Sequence, residues 1–580
     1  LPRLDDRQHQ TKKSSKTIWI VVTLSVLFSL SSIIFWVIYP FPSDERMPYF
    51  EQDYTLIYKG DTLSLHGMYD DQAYIPFSFI KENIDESIQY DKDSSSVIVT
   101  TKQEVYQMPN DSSSFYVNSN PAQLNFPAVK KDNGAIYLAS EWLQEVYPIK
   151  INYAEETTSI IIHKNEEVLQ KGMVNNKDTV RIRLKPTVTS PYVAELTMDN
   201  NVTIQGEENG FYFVRTKEGV GGYVKKSSIS LSGTETITTK TNKVNNPFQP
   251  NMEWPVNMTW DGIYQASANP SSQPSLPGVQ VLSPTWFELE NKQGDIKNIA
   301  SKSYVEDAHD KDYRVWAMFS NAFDPDLTKE VLANFESRQH IINQLLEYAK
   351  VYNLDGFNFD FENVYEEDGD KLTQLMREFV PRAHEAGLVV SIDITFLSTS
   401  GQWSKFYERA KLAEVTDYIV VMAYDEHWSG SSDPGSVSSL PWVRRNMNRL
   451  LEQVPHDQLI LGIPMYTRLW KIETLENGDT EVTSKALTME QAKEWMKEND
   501  VKPTYDEEAE QDYVEYSPPE KDLTYKMWLE NETSINKRAQ LVHRYELAGV
   551  ASWTKYFADE QSWETLEESL SHRKEIKKEE

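Results

Sequence analysis

LDGFNFDFEN, residues 354–363, is the stretch on which the reading of this chain turns. Side chains alternate across a strand, so Gly356, Asn358, Asp360 and Glu362 share one face while Phe357, Phe359 and Phe361 share the other. Three phenyl rings in register belong under covering helices. The opposite face then carries an amide and two carboxylates inward, and because desolvating a carboxylate is costly unless it is paired, such a face points to chemistry rather than stability. On either side, short β-rich runs alternate with amphipathic helical stretches: VNMTW (256–260), VQVLS (279–283), RVWAMF (314–319), GFNFDF (356–361), LVVSIDI (388–394), YIVVMAY (418–424), LILGIP (459–464) and GVASW (549–553). Regular strand and helix alternation with eight strands predicts a closed (β/α)8 barrel of TIM type, its outer ring built from segments such as RQHIINQLLEYAKVY (338–352). Active sites of that architecture lie at the C-terminal mouth, which sets Glu362 at the top with Asp360 beneath it.

The barrel is expected over residues 251–570. An inserted α+β subdomain at about 470–527 contains TMEQAKEWMKEND, whose Thr488 and Gln491 have the spacing of a capping box. A charged tail, 571–580, follows. Toward the N-terminus, residues 231–250 (LSGTETITTKTNKVNNPFQP) are polar enough to predict a linker. Before it, residues 178–230 alternate with Gly and Asn at the turns, as a small all-β barrel would. Residues 46–168 hold a duplication: Tyr74, Phe79, Tyr90, Val97, Ile98 and Val99 recur 63 residues later as Tyr137, Trp142, Tyr153, Ile160, Ile161 and Ile162. Each copy reads as strand, helix, strand, which predicts a duplicated α+β stalk.

Thr17 to Tyr39 runs without a charge, long enough at about 1.5 Å per residue to span a hydrocarbon core, and predicts a transmembrane helix. Arg3, Arg7, Lys12, Lys13 and Lys16 precede it and Asp44 and Glu45 follow, so residues 1–16 are expected in the cytoplasm and the remainder outside, as in a single-pass type II membrane protein. The net charge of −31 repels phosphate backbones, which argues against nucleic acid as a partner. The absence of cysteine excludes disulfides, thiolate metal sites and cysteine nucleophiles. Acidic runs at HDKDY (309–313) and EEDGD (366–370) lack a calcium-loop pattern, and neither metal nor cofactor is expected. His427, alone in the loop AYDEHWSG, reads as a solvated residue, and RKEIKKEE at the end as a mixed-charge tail.

DGFNFDFE (355–362) resembles the DGxDxDxE signature of glycoside hydrolase family 18, the chitinase-like hydrolases. VMAYD (421–425) resembles that family's strand-six motif, and GVASW its eighth strand, ending at Trp553. LSPTWFELEN (282–291), LGIPMYTRLW (461–470) and YKMWLENETSINKRAQL (525–541) resemble a subgroup that includes spore-cortex N-acetylglucosaminidases. The 178–230 module is similar to the bacterial Src-homology-3-like domain, with Tyr212 where that family often has Trp, and the duplicated region to the copper-amine-oxidase N-terminal-like repeat, a name that implies no copper chemistry.

The resemblance implies a retaining reaction in which the substrate's own 2-acetamido group is the nucleophile. Glu362 would protonate the leaving oxygen, Asp360 would orient the acetamido group, and Tyr424 would hydrogen-bond its oxygen. Met422 and Asp425 would line the pocket, with Trp553 and Trp286 stacking on sugar faces and Tyr466 also at the substrate. Asn358 departs from the pattern, standing where better-known members place an Asp that exchanges a proton with the middle Asp. An N-acetylglucosamine glycan of the cell wall, peptidoglycan foremost, is the implied partner and substrate. Chitin oligomers are the alternative, and a non-catalytic glycan-binding wall protein is the reading from another class.

Overall fold

A computed structural model describes residues 15–38, 41–239, 248–265, 275–475, 479–519 and 522–571. Eight parallel strands form the C-terminal barrel: β1 Val256–Asp261, β2 Val281–Pro284, β3 Arg314–Ser320, β4 Gly356–Asp360, β5 Val389–Thr395, β6 Tyr418–Met422, β7 Leu459–Pro464 and β8 Gly549–Trp553. Met258 pairs with Val281, Met318 with Asn358, Asn358 with Ser391, and Val256 with Gly549. The pairing of β2 with β3 at Val281 and Arg314 completes the ring. The alternation read from the sequence produces two separate apolar layers. Phe357, Phe359 and Phe361 pack outward among Leu345, Leu375 and Phe379 of the surrounding helices. Met258, Trp260, Trp316, Met318, Val420 and Ala551 fill the interior. A buried β4 with one face in each layer must therefore hold Asn358 and Asp360 in the barrel's inner column.

Between β7 and β8, five antiparallel strands and the helix Met489–Glu498 make the inserted subdomain. The capping box is formed: Gln491 N–H donates to Thr488 Oγ1 at 3.0 Å and Thr488 N–H to the Gln491 side chain at 3.1 Å.

The described residues divide into two compact units. One gathers residues up to 86 with 110–113 and 124–239; the other gathers 87–109, 114–123 and those from 248 onward. In the first, the duplication is plain in the elements: strands Gln72–Pro76 and Ala135–Ala139 each lead into a short helix, Phe77–Asn83 and Ser140–Val146. Strand Thr55–Tyr58 pairs in parallel with Ser159–Lys164, joining the start of the region to its end. A seven-stranded antiparallel sheet follows. It begins at Val168 and ends at Thr236, because Val168–Val174 pairs with Ile229–Thr236, so residues 231–236 form a strand where a linker was expected. Pairing with Val168–Val174 supplies ladder hydrogen bonds along one side of this edge strand, while its side chains from Ser230 to Thr236 stay exposed on both faces. Residues 240–247 of that expected linker, residues 1–14 of the expected cytoplasmic tail and 572–580 of the charged C-terminal tail lie outside the described residues.

In the second unit, a five-stranded sheet over residues 89–123 accompanies the barrel. Ile98 and Val105 from it cluster with Phe335, at the start of the barrel helix Phe335–Tyr352.

The transmembrane expectation requires correction. Ser15–Ile38 is helical and apolar, but among the described residues no helix is long and apolar enough to cross a membrane.

Candidate active site

The floor of the site is built around Asn358, which is fully buried. Its Oδ1 accepts from Trp260 Nε1 at 2.8 Å and from Ser283 Oγ at 3.3 Å; its Nδ2 donates to Ser391 Oγ at 3.0 Å and to Asp393 Oδ1 at 2.7 Å. Indole nitrogen is a donor only, so the amide orientation is dictated by its neighbours. Every hydrogen-bonding position of the amide is used, as burial requires.

Above this floor opens a cavity of about 730 Å³. Asp360, Glu362 and Asp393 face into it together. Burial raises the Asp360 carboxyl to about 7. Glu362 is raised well above the ordinary glutamate range, first by burial, then by the charges of Asp360 and Asp425. Asp393 is raised likewise by burial and by Asp360, against the lowering effect of its hydrogen bond from Asn358. Carboxylates in one low-dielectric space cannot all ionise, so this arrangement keeps protons in hand near neutrality. Tyr424, half-buried near Asp393, Asp360 and Glu362, remains a neutral phenol, its ionisation opposed by desolvation and by those charges.

Met422, Tyr424, Asp425 and Trp553 line the same cavity. Tyr424 and Trp553 lie 24° from parallel with ring centres 6.5 Å apart, and Trp260 meets Trp553 edge-on at 5.7 Å. Asp425 accepts from Tyr466 Oη at 2.5 Å and lies 3.5 Å from Arg468 Nη2. Tyr466 is buried, so it bears on the cavity through Asp425 rather than by lining it. Trp286 is placed elsewhere: it is 2% exposed, packs edge-on against Tyr304 at 4.9 Å, and belongs to the layer between strands and helices. The structure thus removes Trp286 from the sugar-stacking set, because its apolar ring completes the outer core. His427 is half-buried, with Nδ1 3.0 Å from the Asp433 carbonyl in its own loop.

Several residues of the site were not singled out from the sequence. Asp393 had a visible signal, an acid inside the apolar run VVSIDI with the parity of Ser391. Asn321, fully buried after β3, had none. Its Oδ1 accepts from Glu362 N–H at 3.0 Å and its Nδ2 donates to Glu362 C=O at 2.7 Å, gripping the backbone of the acid on both sides. Phe323, Trp403 and Trp428, each about half exposed, add apolar surface at the mouth.

A closed parallel barrel with grouped carboxylates under an aromatic-walled cleft at its C-terminal mouth has the arrangement of an enzyme active site of this fold. Residues 281–557 match the model of Glycosyl hydrolases family 18, and residues 66–162 match the Copper amine oxidase N-terminal domain. The chain carries a family 18 glycoside hydrolase domain. Its relatives include an uncharacterized glycosylase, YvbX, of Bacillus subtilis, 26% identical over 47% of this chain and 80% of that protein. A cortical fragment-lytic enzyme of the same organism is 24% identical over 43% of this chain, and the match spans 58% of that enzyme. The crystal structure of the Bacillus cereus spore cortex-lytic enzyme SleL has the same fold, with a TM-score of 0.50 and 19% identity over 60% of this chain and 79% of that one.

Proposed function

We propose that this chain hydrolyses a β-linked N-acetylglucosamine glycan, of the peptidoglycan type, with the 2-acetamido group of the substrate as the nucleophile. The observation that carries this reading is the convergence of Glu362, Asp360 and Tyr424 on one cavity. The acetamido carbonyl oxygen attacks the anomeric carbon as the glycosidic bond breaks, and Glu362, held neutral by burial and its acidic neighbours, gives its proton to the leaving oxygen. Asp360 accepts a hydrogen bond from the acetamido N–H, which gains acidity as the oxazolinium ring forms. The Tyr424 hydroxyl donates to the acetamido oxygen and aligns it. Water then adds to the anomeric carbon and loses a proton to the Glu362 carboxylate, which restores the acid.

Cortical fragment-lytic enzymes among the relatives support the peptidoglycan reading, and di-N-acetylchitobiases among them make chitin oligomers the second substrate to test. We place the reaction outside the cytoplasm, where that polymer lies, and assign the β-rich residues 168–236 as a module similar to the bacterial Src-homology-3-like domain that holds the chain on the wall. Retention of the acid Glu362 opposes a purely binding role.

Incubation of the full chain with purified peptidoglycan and with chitin oligomers, reading new reducing ends by mass spectrometry, tests the reading. New N-acetylglucosamine ends are expected from peptidoglycan and none from Glu362→Gln. Equal cleavage by the variant would remove Glu362 as the acid, and binding without cleavage by either protein would make the chain a glycan receptor.

A further inference from the structure

The hydrogen bonds on the barrel floor have a fixed direction. Trp260 Nε1 can only donate, so the oxygen of Asn358 faces it at 2.8 Å and the amide nitrogen faces Asp393 at 2.7 Å. Asp393 Oδ1 is thereby committed to accepting. Whatever proton Asp393 carries must sit on Oδ2, and Oδ2 is fully buried with no hydrogen-bond partner among the described residues. Asp360 Oδ1 is in the same condition in the same cavity. Two buried carboxyl groups that each present an unsatisfied oxygen hold one proton between them far more cheaply than they hold two charges. The groups facing Asp393 offer no cation to alter this: Asp360 and Glu362 on and after β4, Tyr424 after β6, Tyr407 from the segment after β5, and on β1 the neutral indole N–H of Trp260, which with Asn358 opposes part of the rise.

We propose that Asp393 is the proton partner of Asp360, a positioning residue that holds a proton on Oδ2, donates it in a hydrogen bond to Asp360, and so keeps Asp360 oriented and anionic toward the substrate's acetamido N–H. The carboxyl that Asn358 cannot supply is thus provided by the neighbouring strand. Asn358 follows from Asp393 as much as the reverse, since an Asp at 358 would present a third acid and withdraw the donor that fixes Asp393. No bond to the substrate is made or broken by Asp393; its proton remains within the pair throughout the reaction.

The proposal rests on the hydrolytic reading given above, and two readouts keep the two separable. Asp393→Asn can keep the same geometry, its oxygen accepting from Asn358 and its amide donating to Asp360, whereas Asp393→Leu has the shape without either. In hydrolysis of the same glycan, Asp393→Leu is expected to lose about 100-fold or more in kcat with KM within a factor of about three, the scale of a proton-handling group. Asp393→Asn is expected to remain within about tenfold of the parent and to lose one ionisation from the profile of kcat/KM against pH. The second readout needs no activity: thermal melting of the parent, expected to fall from pH 4 to pH 8 as the pair is forced to ionise, should fall less in Asp393→Asn. An inactive parent whose melting follows this pattern would sink the hydrolytic reading alone. An Asp393→Asn protein that melts with the parent's pH dependence, or that is as impaired as Asp393→Leu with the parent's pH profile, would overturn the pairing.

Discussion

Asn321 shows how a side chain outside a cavity's lining can set the position of a carboxyl group within it. Its two bonds to the Glu362 backbone, at 3.0 and 2.7 Å, hold the acid where β4 ends and the ladder no longer constrains the chain. Thr328 Oγ1, accepting from Asn321 Nδ2 at 2.9 Å, braces it in turn. Asn321→Ala leaves a buried N–H and C=O unmatched, so urea denaturation should show a loss of about 1–3 kcal/mol, and kcat should drop about tenfold while KM holds. Asp360 gives a second prediction. Its folded-state pKa of about 7 exceeds the ordinary 3.8, so the folded chain binds the proton more tightly than the unfolded one. The stabilisation is fully present below about pH 4 and is lost as pH rises through 7. Asp360→Asn should therefore melt higher than the parent at pH 8, with the gap closing toward pH 4, and should be nearly inactive at both. At this scale, β4 disclosed its own acids because a period of two separates phenyl from carboxyl. Asp393 obeyed the same parity on β5 but stood singly among aliphatic residues, and Asn321 is recognisable only through bonds to main-chain atoms that sequence does not display. Trp286 errs in the other direction: a tryptophan near a strand end suits a sugar platform and an outer core equally until its burial is known.

The elements were read most securely where their side chains are buried. All eight barrel strands alternate or are wholly apolar, and each occupies the run that announced it. Strand Ile229–Thr236 was missed because its side chains are mostly polar and exposed, leaving its pairing to Val168–Val174 as the sole reason for its conformation. The inserted subdomain is tied to the barrel by a buried polar cluster. Arg538, on the helix Glu532–Arg544, donates to Glu530 at 2.8 Å, while Gln511 Nε2 and Ser534 Oγ reach the same carboxylate at 2.9 and 2.7 Å. Glu530 N–H donates to Thr467 Oγ1 at 2.9 Å, at the first residue of the insertion's sheet. Removing one partner strands the other charge, so Arg538→Met should cost about 3–5 kcal/mol in chemical denaturation, whereas replacing Arg538 and Glu530 together by apolar residues should restore much of it. Because Tyr466 and Arg468 lead into that sheet and hold Asp425, the single variant should also raise KM.

At the scale of the whole molecule, the chain does not finish one unit before starting the other: residues 87–109 and 114–123 belong with the barrel, although more than a hundred residues of the other unit follow them. Composition and repeat analysis describe stretches that are continuous in sequence, so this allegiance was invisible in the duplication that contains it. Its physical carrier is the cluster of Ile98 and Val105 with Phe335, reinforced by the bond from Asn334 to Asp93 at 3.2 Å and from Asn118 to Glu385 at 3.0 Å. The connectivity acts as lacing. A single engineered protease cut between Thr239 and Phe248 divides the chain in two, yet the N-terminal piece should still hold the C-terminal one and the two should elute together from a sizing column. Phe335→Asp should release them. Cut ends would then be a poor guide to domain boundaries in this chain, and tension applied to the N-terminal portion would reach the hydrolytic barrel through the strands at 96–109 as well as through the covalent chain.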